Sequence, residues 1–396
     1  MDLTYTAEQE AFRLRVRRWL EDNLPAGWGT DAFPRFASHA AEVEFMRHWQ
    51  AKLYHAGWCG LSWPQEYGGA GASWVEQAIY NEEMARAQAP ELINKVGVNN
   101  VGPTLMNYGT EAQKRRYLSK ILSAEDIWCQ LFSEPGAGSD LAGLRTRAEK
   151  DGDGFRLTGQ KVWTSYAEFS RWAICLARTD PTVPKHKGLT YFIVDMQAPG
   201  ITIRPLQQLT GESEFNEVFL DAVYTPRDAI IGTENEGWSV AMNTLAHERG
   251  TAYLFKEQVK QRIALDRLIQ ILRQRRAAGD AVHPAWRHEV ATAFIRVEIM
   301  RFLNLDTMTR LSRGQEPGGD SSVKKEFFTR LTQHLHETAL SIQGPAAQLV
   351  AGDPHAVDQG RFQQTFLYSR SKSISGGTSE VQLNIIATRL LGLPAR

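Results

Sequence analysis

The stretch Trp238–Tyr253, which reads Trp-Ser-Val-Ala-Met-Asn-Thr-Leu-Ala-His-Glu-Arg-Gly-Thr-Ala-Tyr, marks the point where the pattern of the chain changes. Within it a carboxylate, Glu248, is followed at once by a guanidinium, Arg249, at the entry to a long predicted helix. Such a carboxylate is a candidate general base, although a solvated surface ion pair is the more common fate of these residue types. From about residue 235 to the C-terminus, apolar residues recur at helical spacing, which predicts a bundle of four long helices.

Short segments rich in β-branched and aromatic residues precede this stretch, between about residues 126 and 234. Turn residues separate them at close intervals, as in the hairpin signal at 151–154, and no helix of about 10–15 residues intervenes. This spacing predicts an antiparallel barrel or sandwich. Before residue 126 the periodicity is helical, with Thr6 and Ser73 as predicted caps. We therefore predict an α+β chain with a helical domain (1–125), a β-domain (126–234) and a C-terminal four-helix bundle (235–396).

The composition excludes several classes of protein. The 396 residues, 42% of them hydrophobic, are enough for two or three globular domains. Lys plus Arg and Asp plus Glu both number 45, which argues against nucleic acid or an acidic membrane surface as the main partner. No apolar run reaches membrane-spanning length, and the N-terminus lacks a secretory signal, so we expect a cytoplasmic protein. The three cysteines, Cys59, Cys129 and Cys175, are predicted to be buried free thiols.

The segment Leu131–Asp140 (Leu-Phe-Ser-Glu-Pro-Gly-Ala-Gly-Ser-Asp) is the first candidate binding element. Its glycines do not have the spacing of a dinucleotide fingerprint, and no crossover helix follows. It offers the end of a strand at Leu131, a hydroxyl at Ser133, and a loop of backbone donors through Gly138 and Ser139. Such a loop can hold the edge of a polar heterocycle or a phosphate, and a simple hairpin turn explains it equally well.

Two further segments carry candidate binding groups. On the next strands, Trp163 is followed two residues later by Ser165, and this pair can stack on a ring and bond its edge, although a core tryptophan is the simpler explanation. Near the C-terminus, the Gly-Gly-Thr turn within Ser373–Gln382 opens the last predicted helix and is a candidate anion cradle.

Other catalytic motifs are missing from the sequence. His334-Leu-His336-Glu is not a zinc-binding motif, and no Gly-x-Ser-x-Gly motif is present. We therefore predict no metal site and assign no hydrolase triad.

Taken together, these segments resemble the acyl-CoA dehydrogenase family. The resemblance rests on Ser133–Asp140, Gly159–Trp163 and Gly376–Gln382, and on Trp63–Gly69 and Tyr108–Leu118 in the N-terminal part. It runs through the chain in order, with an unlike stretch between about residues 273 and 320. The family's fold, a helical domain followed by a β-domain and a four-helix bundle, agrees with the predicted architecture.

The resemblance implies an FAD cofactor. In this family's pattern, Ser133 and Ser165 would bond the isoalloxazine edge and Trp163 would lie against its face. Ser139 would face the CoA side, and Thr378 and Glu380 would sit by the FAD phosphates. The predicted cofactor-binding residues are Leu131, Ser133, Gly138, Ser139, Trp163, Ser165, Thr378 and Glu380.

The resemblance also implies a position for the catalytic base. In much of the family a glutamate just before the Gly-Thr of the C-terminal motif removes the α-proton, and here that position is Gly376. In a minority, including isovaleryl- and long-chain-type members, the base lies on the helix after the β-domain, directly before an arginine, as Glu248 and Arg249 do. Gly376 retains its N–H, which in the family helps to bind the thioester oxygen. Its missing side chain suggests room for a branched or bulky acyl group.

Partners follow from the same resemblance: an acyl-CoA substrate from fatty acid or sterol side-chain β-oxidation, and electron-transfer flavoprotein as acceptor. The family's Arg-x-x-Phe-Gly motif is missing, and Arg273, Arg275 and Arg276 are candidate replacements. This pattern resembles the large subunits of two-subunit bacterial relatives, so a homotetramer (a dimer of dimers) and a heterotetramer are both open. Two alternatives remain: an O2-using oxidase or monooxygenase of the same fold, and a non-catalytic subunit that supports a catalytic partner.

Overall fold

The structure, a computed structural model, describes residues 5–30, 32–34, 36–248, 251–315 and 319–394, and for residues 248 and 251–253 it describes the backbone alone. Contacts divide the chain into two units. The β unit comprises residues 34–72 and 90–248, and the bundle unit comprises residues 1–33, 73–89 and 249–396. The predicted domain boundaries at 125/126 and 234/235 stay a prediction.

Helices α2, α4, α5 and α6 belong to the β unit, and the others belong to the bundle unit. The helices are α1 (Ala7–Asn23), α2 (His39–His55), α3 (Trp74–Arg86), α4 (Gly102–Tyr108), α5 (Glu111–Ser123), α6 (Gly237–Glu248), α7 (Thr251–Ala277), α8 (Pro284–Ser312), α9 (Asp320–Gln343), α10 (Arg361–Ser369) and α11 (Ser379–Ile385). Wider, π-type turns precede α4, at Gly97–Val101, and follow α11, at Ile386–Leu390.

The predicted helix caps are confirmed. The Thr6 hydroxyl accepts from the Gln9 amide over 3.2 Å, and the Gln9 side chain accepts from the Thr6 amide over 2.9 Å. Ser73 forms the same reciprocal pair with Glu76 at the start of α3. A cap of this kind is worth about 1 kcal/mol because it satisfies amides that have no partner within the helix.

The β unit is built on one sheet with the strand order β1-β4-β2-β3-β7-β6, in which β5 also pairs with β4. Its strands are β1 (Trp128–Leu131), β2 (Arg147–Asp151), β3 (Gly154–Ser165), β4 (Trp172–Arg178), β5 (Leu189–Asp195), β6 (Ile201–Leu206) and β7 (Phe215–Pro226). The predicted hairpin at 151–154 joins β2 to β3. Most pairs are antiparallel, as predicted, but β4 runs parallel to β1 and also pairs in parallel with β2, at Arg147 and Arg178.

Each unit has its own apolar core. The core of the β unit lies on the inner face of the sheet, and its largest members are Phe155, Leu157, Phe192, Leu131 and Leu220. The core of the bundle unit joins α7, α8, α9 and α10 through residues such as Leu268, Met300, Leu335 and Phe362. Each such side chain contributes about 1.5–3 kcal/mol when it is fully buried. The predicted fold class, helical regions flanking a central β-domain with a C-terminal helical bundle, is confirmed.

The predicted burial of the cysteines is also confirmed, since Cys59, Cys129 and Cys175 are all buried free thiols. Across the described ranges, no helix combines the length and the apolar character that crossing a bilayer requires. The same residues contain no group of three His, Cys, Asp or Glu side chains that could hold a metal ion.

Candidate active site

The segment after β1 turns sharply and exposes its backbone. Leu131 is buried at the end of β1, opposite Cys175 of β4. Glu134 and Ala137 exchange two backbone hydrogen bonds of 3.0 Å, which close a tight turn. Gly138 and Ser139 follow it and are exposed, and a side chain added at Gly138 would meet no atom within 4 Å. The loop therefore leaves open space next to its backbone, as a binding loop requires.

A buried ion pair holds this turn against the sheet. The ammonium of Lys161, on β3, donates to the Glu134 carboxylate over 2.9 Å and to the carbonyls of Phe132 (3.1 Å) and Leu176 (2.9 Å). Glu134 also accepts from the backbone amides of Arg145 (2.6 Å) and Thr146 (2.9 Å). Sequence reasoning missed this pair, and the available signal was a lysine that follows Phe155 and Leu157 in the same alternation along the strand.

The charge state of Glu134 follows from these contacts. Burial alone would raise the pKa of Glu134, but the charge of Lys161 and the hydrogen bonds from Thr146 and Arg145 outweigh it and hold this pKa below its usual value. Glu134 is therefore ionised at neutral pH. The pair is fully hydrogen-bonded, which is the condition under which buried charges are tolerated.

Trp163 stands out of the sheet on a β-bulge. The β3–β7 register shifts between Lys161 and Thr164, and Trp163 has a φ of +61°, a conformation that side chains other than glycine rarely adopt. Its ring is 61% exposed and meets Phe215 edge to face, with centroids 6.1 Å apart. The simple explanation, a core tryptophan, is therefore wrong.

The bulge brings three of the predicted flavin-binding positions together. The amide of Val162 donates to the Ser133 carbonyl over 2.9 Å, so Ser133 lies beside the part of β3 that carries Trp163. Ser165, two residues further along, pairs with Phe215 and is half-buried, as Ser133 is. Between them, the Thr164 hydroxyl is buried and has no hydrogen-bond partner among the described residues. Two accessible hydroxyls and an open aromatic face thus share one edge of the β unit.

The C-terminal glycine turn lies in the bundle unit. Gly376 and Gly377 have φ values of +65° and +87°, and their carbonyls accept from the side-chain amide (Nε2) of the buried Gln382 over 2.9 and 3.3 Å. Lys325 also donates to the Gly377 carbonyl over 2.9 Å. Within the part of the chain that the structure describes, the Gly376 N–H donates to no acceptor, and a Cβ at this position would meet no atom within 4 Å.

This turn leads directly into α11. Thr378 caps the helix by accepting from the Val381 amide over 3.2 Å, and the exposed Glu380 lies in the first turn. The pKa of Glu380 is lowered because its carboxylate accepts from its own backbone amide and from the Thr378 hydroxyl. In the predicted anion cradle, the Glu380 carboxylate thus already accepts hydrogen bonds from the local donors. A phosphate bound here would compete with this carboxylate for them.

Two other predicted residues fall at the limit of the described structure. The backbone of Glu248 belongs to α6, but the Glu248 side chain and the whole of Arg249 lie outside the described residues.

Arg275, a candidate replacement for the missing arginine motif, is engaged inside the bundle unit. It donates to the Ile342 carbonyl and to Asp280 and stacks on Trp286. Of the three candidate replacements for the missing arginine motif, Arg273 and Arg276 are the exposed ones.

Comparison with known proteins gives the same family along the whole chain. Three family models match in order: the N-terminal domain of acyl-CoA dehydrogenase at residues 6–125, the middle domain at 129–223 and the C-terminal domain at 235–391. Acyl-CoA dehydrogenase IpdE1 of Mycobacterium tuberculosis is 40% identical over 389 residues, which cover 97% of this chain and 98% of that protein. FadE26 of the same organism is 31% identical, over 100% of this chain and 99% of that protein.

Two solved structures are similar over their full length. The Tcur3481-Tcur3483 steroid ACAD has a TM-score of 0.86 and 32% identity, with 100% of both chains covered. The ChsE4-ChsE5 complex from Mycobacterium tuberculosis has a TM-score of 0.85 and 31% identity, again with 100% of both chains covered. With its sequence and its fold in agreement, the chain belongs to the acyl-CoA dehydrogenase family and is an enzyme of that class.

Proposed function

We propose that this protein is an FAD-dependent dehydrogenase that introduces the α,β double bond into a bulky acyl-CoA, with Glu248 as the base. The observation that carries the proposal is the exposed ring of Trp163, held on a bulge beside the Ser133 and Ser165 hydroxyls. An exposed indole at a positive φ costs stability, which is typical of a binding site.

The residues present fit a flavin. A flat heterocycle needs an aromatic face and nearby polar groups for its edge, and the β unit offers Trp163, Ser133 and Ser165. The loop through Gly138 and Ser139 leaves space at its backbone. The resemblance also sets Thr378 and Glu380, at the start of α11, by the FAD phosphates, and there the Glu380 carboxylate would have to release its local donors to the phosphate. FAD, when bound, supplies the acceptor for the hydride that leaves Cβ.

The proton step is assigned to Glu248. Its carboxylate takes the proton from Cα, the C–H bond breaks, and the electron pair moves toward the thioester oxygen. Arg249 would hold the carboxylate in place, which is the role that the resemblance implies. The Gly376 N–H, which has no acceptor among the described residues, would donate to the thioester oxygen as charge develops there.

The substrate class is inferred from two observations. A side chain at Gly376 would meet no atom within 4 Å, so the position that many relatives fill with glutamate is open here. The most similar structures include one named a steroid ACAD. We therefore infer a branched or ring-bearing acyl-CoA of lipid or sterol breakdown, with electron-transfer flavoprotein as the electron acceptor.

The assembly is proposed to be heteromeric. Two of the similar structures carry paired names, Tcur3481-Tcur3483 and ChsE4-ChsE5, the second described as a complex. Arg275 is bound to Ile342 and Asp280 within its own unit, so the exposed Arg273 and Arg276 are the better candidates for the missing arginine motif in this chain. In a heteromer, a second acyl-CoA dehydrogenase-like subunit would supply that contact instead. The alternative is a homotetramer. The mass and the subunit composition of the purified complex would distinguish it from a heteromer.

The test begins with the visible spectrum of the protein purified alone and together with a coexpressed partner. A panel of straight-chain, branched and ring-bearing acyl-CoAs is then added without oxygen. The proposal expects a yellow protein whose flavin bleaches with branched or ring-bearing thioesters. A protein that binds no FAD in either preparation would refute the flavoenzyme assignment, and one that bleaches only with straight chains would refute the substrate class. Fast reoxidation in air would favour the oxidase alternative over electron-transfer flavoprotein.

A further inference from the structure

A buried chain of three hydroxyl groups ties helix α6 to the sheet. Tyr191 on β5 shares a hydrogen bond of 2.9 Å with Thr244 on α6, and Thr244 shares one of 2.8 Å with Thr104 on α4. Thr104 in turn donates to the Asn100 carbonyl over 2.8 Å, and the Thr244 hydroxyl reaches the Val240 carbonyl at 3.1 Å. All three side chains are fully buried.

One order of donors connects the three hydroxyl groups. Thr104 donates to a carbonyl and accepts from Thr244, which in turn accepts from the Tyr191 phenol. The single hydroxyl proton of Thr244 is then shared between Thr104 and the Val240 carbonyl. Burial raises the pKa of Tyr191, which keeps its phenol protonated as a donor at neutral pH. A buried polar group without a partner is costly, so each member of the chain depends on the others.

The first turn of α6 is also fixed to β5. An added side chain at Gly237 would come within 2.6 Å of the Tyr191 amide, so the helix begins in direct contact with this strand. Just before the helix, the Asn235 amide donates to the Thr190 hydroxyl over 2.8 Å. The start of α6 and its middle are thus both anchored to neighbouring residues of one strand.

Tyr191 also contacts the segment that leads to Ser133. Its ring meets the Phe132 ring edge to face, with centroids 5.7 Å apart and planes at 88°. The Phe132 carbonyl accepts from Lys161, the residue that fixes the turn after β1. One tyrosine therefore touches the strand end that carries the predicted flavin-edge hydroxyl and the helix that carries the predicted base.

We propose that Thr244 and Tyr191 are positioning residues that set the height and rotation of α6, and hence the location of Glu248 relative to the flavin-edge segment. Thr244 and Glu248 are four residues apart in the same helix, about one turn, so the backbone of one cannot shift without the other. This inference rests on the proposed function, because it assigns Glu248 as the base.

The physical reason for such a device is the sensitivity of proton transfer to distance. The base must lie within hydrogen-bond reach of the Cα proton, and a displacement of about 1 Å can cost on the order of 100-fold in rate. An anchor one turn before Glu248 limits such a displacement of the helix.

The experiment compares Thr244→Val, which keeps the shape and loses the hydroxyl, with Thr244→Ser, which keeps the hydroxyl. Tyr191→Phe keeps the ring contact with Phe132 and removes the donor. The matched control is Thr332→Val on α9, where an equally buried threonine hydrogen-bonds to the Phe328 carbonyl of its own helix.

Two readouts are taken on the flavin-loaded complex. The first is the anaerobic rate of flavin bleaching by the best substrate. The second is proton transfer alone, followed as deuterium uptake from D2O at Cα of (cyclohexylthio)acetyl-CoA, in which sulfur replaces Cβ and no hydride can leave. In that exchange the Cα–H bond breaks, the proton moves to the base, and the electron pair stays on the thioester until deuterium returns. Flavin content and the Kd of the thia compound are measured alongside.

The proposal expects Thr244→Val and Tyr191→Phe to slow both readouts about 10- to 100-fold, with flavin content and Kd unchanged. Thr244→Ser restores most of the rate, and Thr332→Val behaves as wild type. If both slow variants exchange deuterium at the wild-type rate, or if Thr244→Ser is as slow as Thr244→Val, the inference is wrong. Should Thr244→Val fail to fold, Tyr191→Phe decides.

Failure of the proposed function gives a different pattern. If Glu248→Gln exchanges deuterium as fast as wild type, the base assignment falls, whatever Thr244 does. If Glu248→Gln abolishes exchange while Thr244→Val and Tyr191→Phe leave it intact, the proposed function stands and the positioning role alone is refuted.

Discussion

Lys161 and Glu134 form a buried ion pair with an N–O distance of 2.9 Å, and this pair fixes the turn that follows β1. Removing one partner leaves a buried charge without compensation. We expect Lys161→Met to lower the free energy of unfolding by about 3–5 kcal/mol, as measured by urea denaturation.

The double variant Lys161→Met with Glu134→Gln is the control for that prediction. It removes both charges, so it should be less destabilised than Lys161→Met alone. The folded-state pKa of Glu134 is lowered, so its stabilising contribution is present above the usual pKa and is lost as the pH falls through the folded pKa. Equal stabilities of the single and double variants would contradict the pairing.

Trp163 is expected to contribute to the affinity for FAD and to contribute little to folding stability. Its ring is 61% exposed, so Trp163→Ala should change the unfolding free energy by less than about 1 kcal/mol. If the ring lies against the flavin, the variant loses about 1 kcal/mol of binding, or roughly fivefold in the Kd for FAD. Titration of the apoprotein with FAD measures this value. Trp74→Ala, at an exposed tryptophan of α3, should leave that Kd unchanged.

Gly376 can be tested against a glycine in the same backbone conformation. Gly376 and Gly392 both have a φ of +65°, and at both an added Cβ meets no atom within 4 Å. Alanine at either position should cost about 1–2 kcal/mol of stability through backbone strain. Only Gly376→Ala should reduce kcat/KM for ring-bearing acyl-CoAs more than for straight-chain ones. If Gly392→Ala gave the same change in selectivity, the volume at Gly376 would not be the cause.

A pH dependence is expected from His336, whose pKa burial lowers to about 4 from the usual 6.5. Between these values the unfolded chain binds a proton that the folded chain does not, so stability falls as the pH drops from 6.5 towards 4. The slope from one such group is at most about 1.4 kcal/mol per pH unit. His336→Gln should flatten the curve of unfolding free energy against pH.

The parts of the fold that depend on local pattern could be predicted from the sequence. The Thr6 and Ser73 caps depend on a partner three residues away, and the hairpin at 151–154 depends on its own turn residues. The parallel pairing of β1 with β4 could not be predicted this way, because it joins strands separated by an intervening hairpin. Short strands of this kind carry no local signal for their partners.

The same limit applies to the candidate site. Ser133, Trp163 and Ser165 could be proposed from motifs, but the bulge that exposes Trp163 comes from a register shift against β7, which no single strand reveals. Glu134 and Lys161 are 27 residues apart, and Tyr191 and Thr244 are 53 apart. Contacts at such separations are decided by tertiary packing, so the pairs became visible only in the folded chain.

Anaerobic bleaching of the flavin with a ring-bearing acyl-CoA shows whether Glu248 is the base. Wild type, Glu248→Gln and Glu21→Gln are compared, the last being an exposed carboxylate on α1. We expect all three proteins to be equally yellow, wild type and Glu21→Gln to bleach, and Glu248→Gln to stay yellow. Bleaching of Glu248→Gln at the wild-type rate would contradict this expectation, and the base would have to be sought elsewhere in the chain or in a partner subunit.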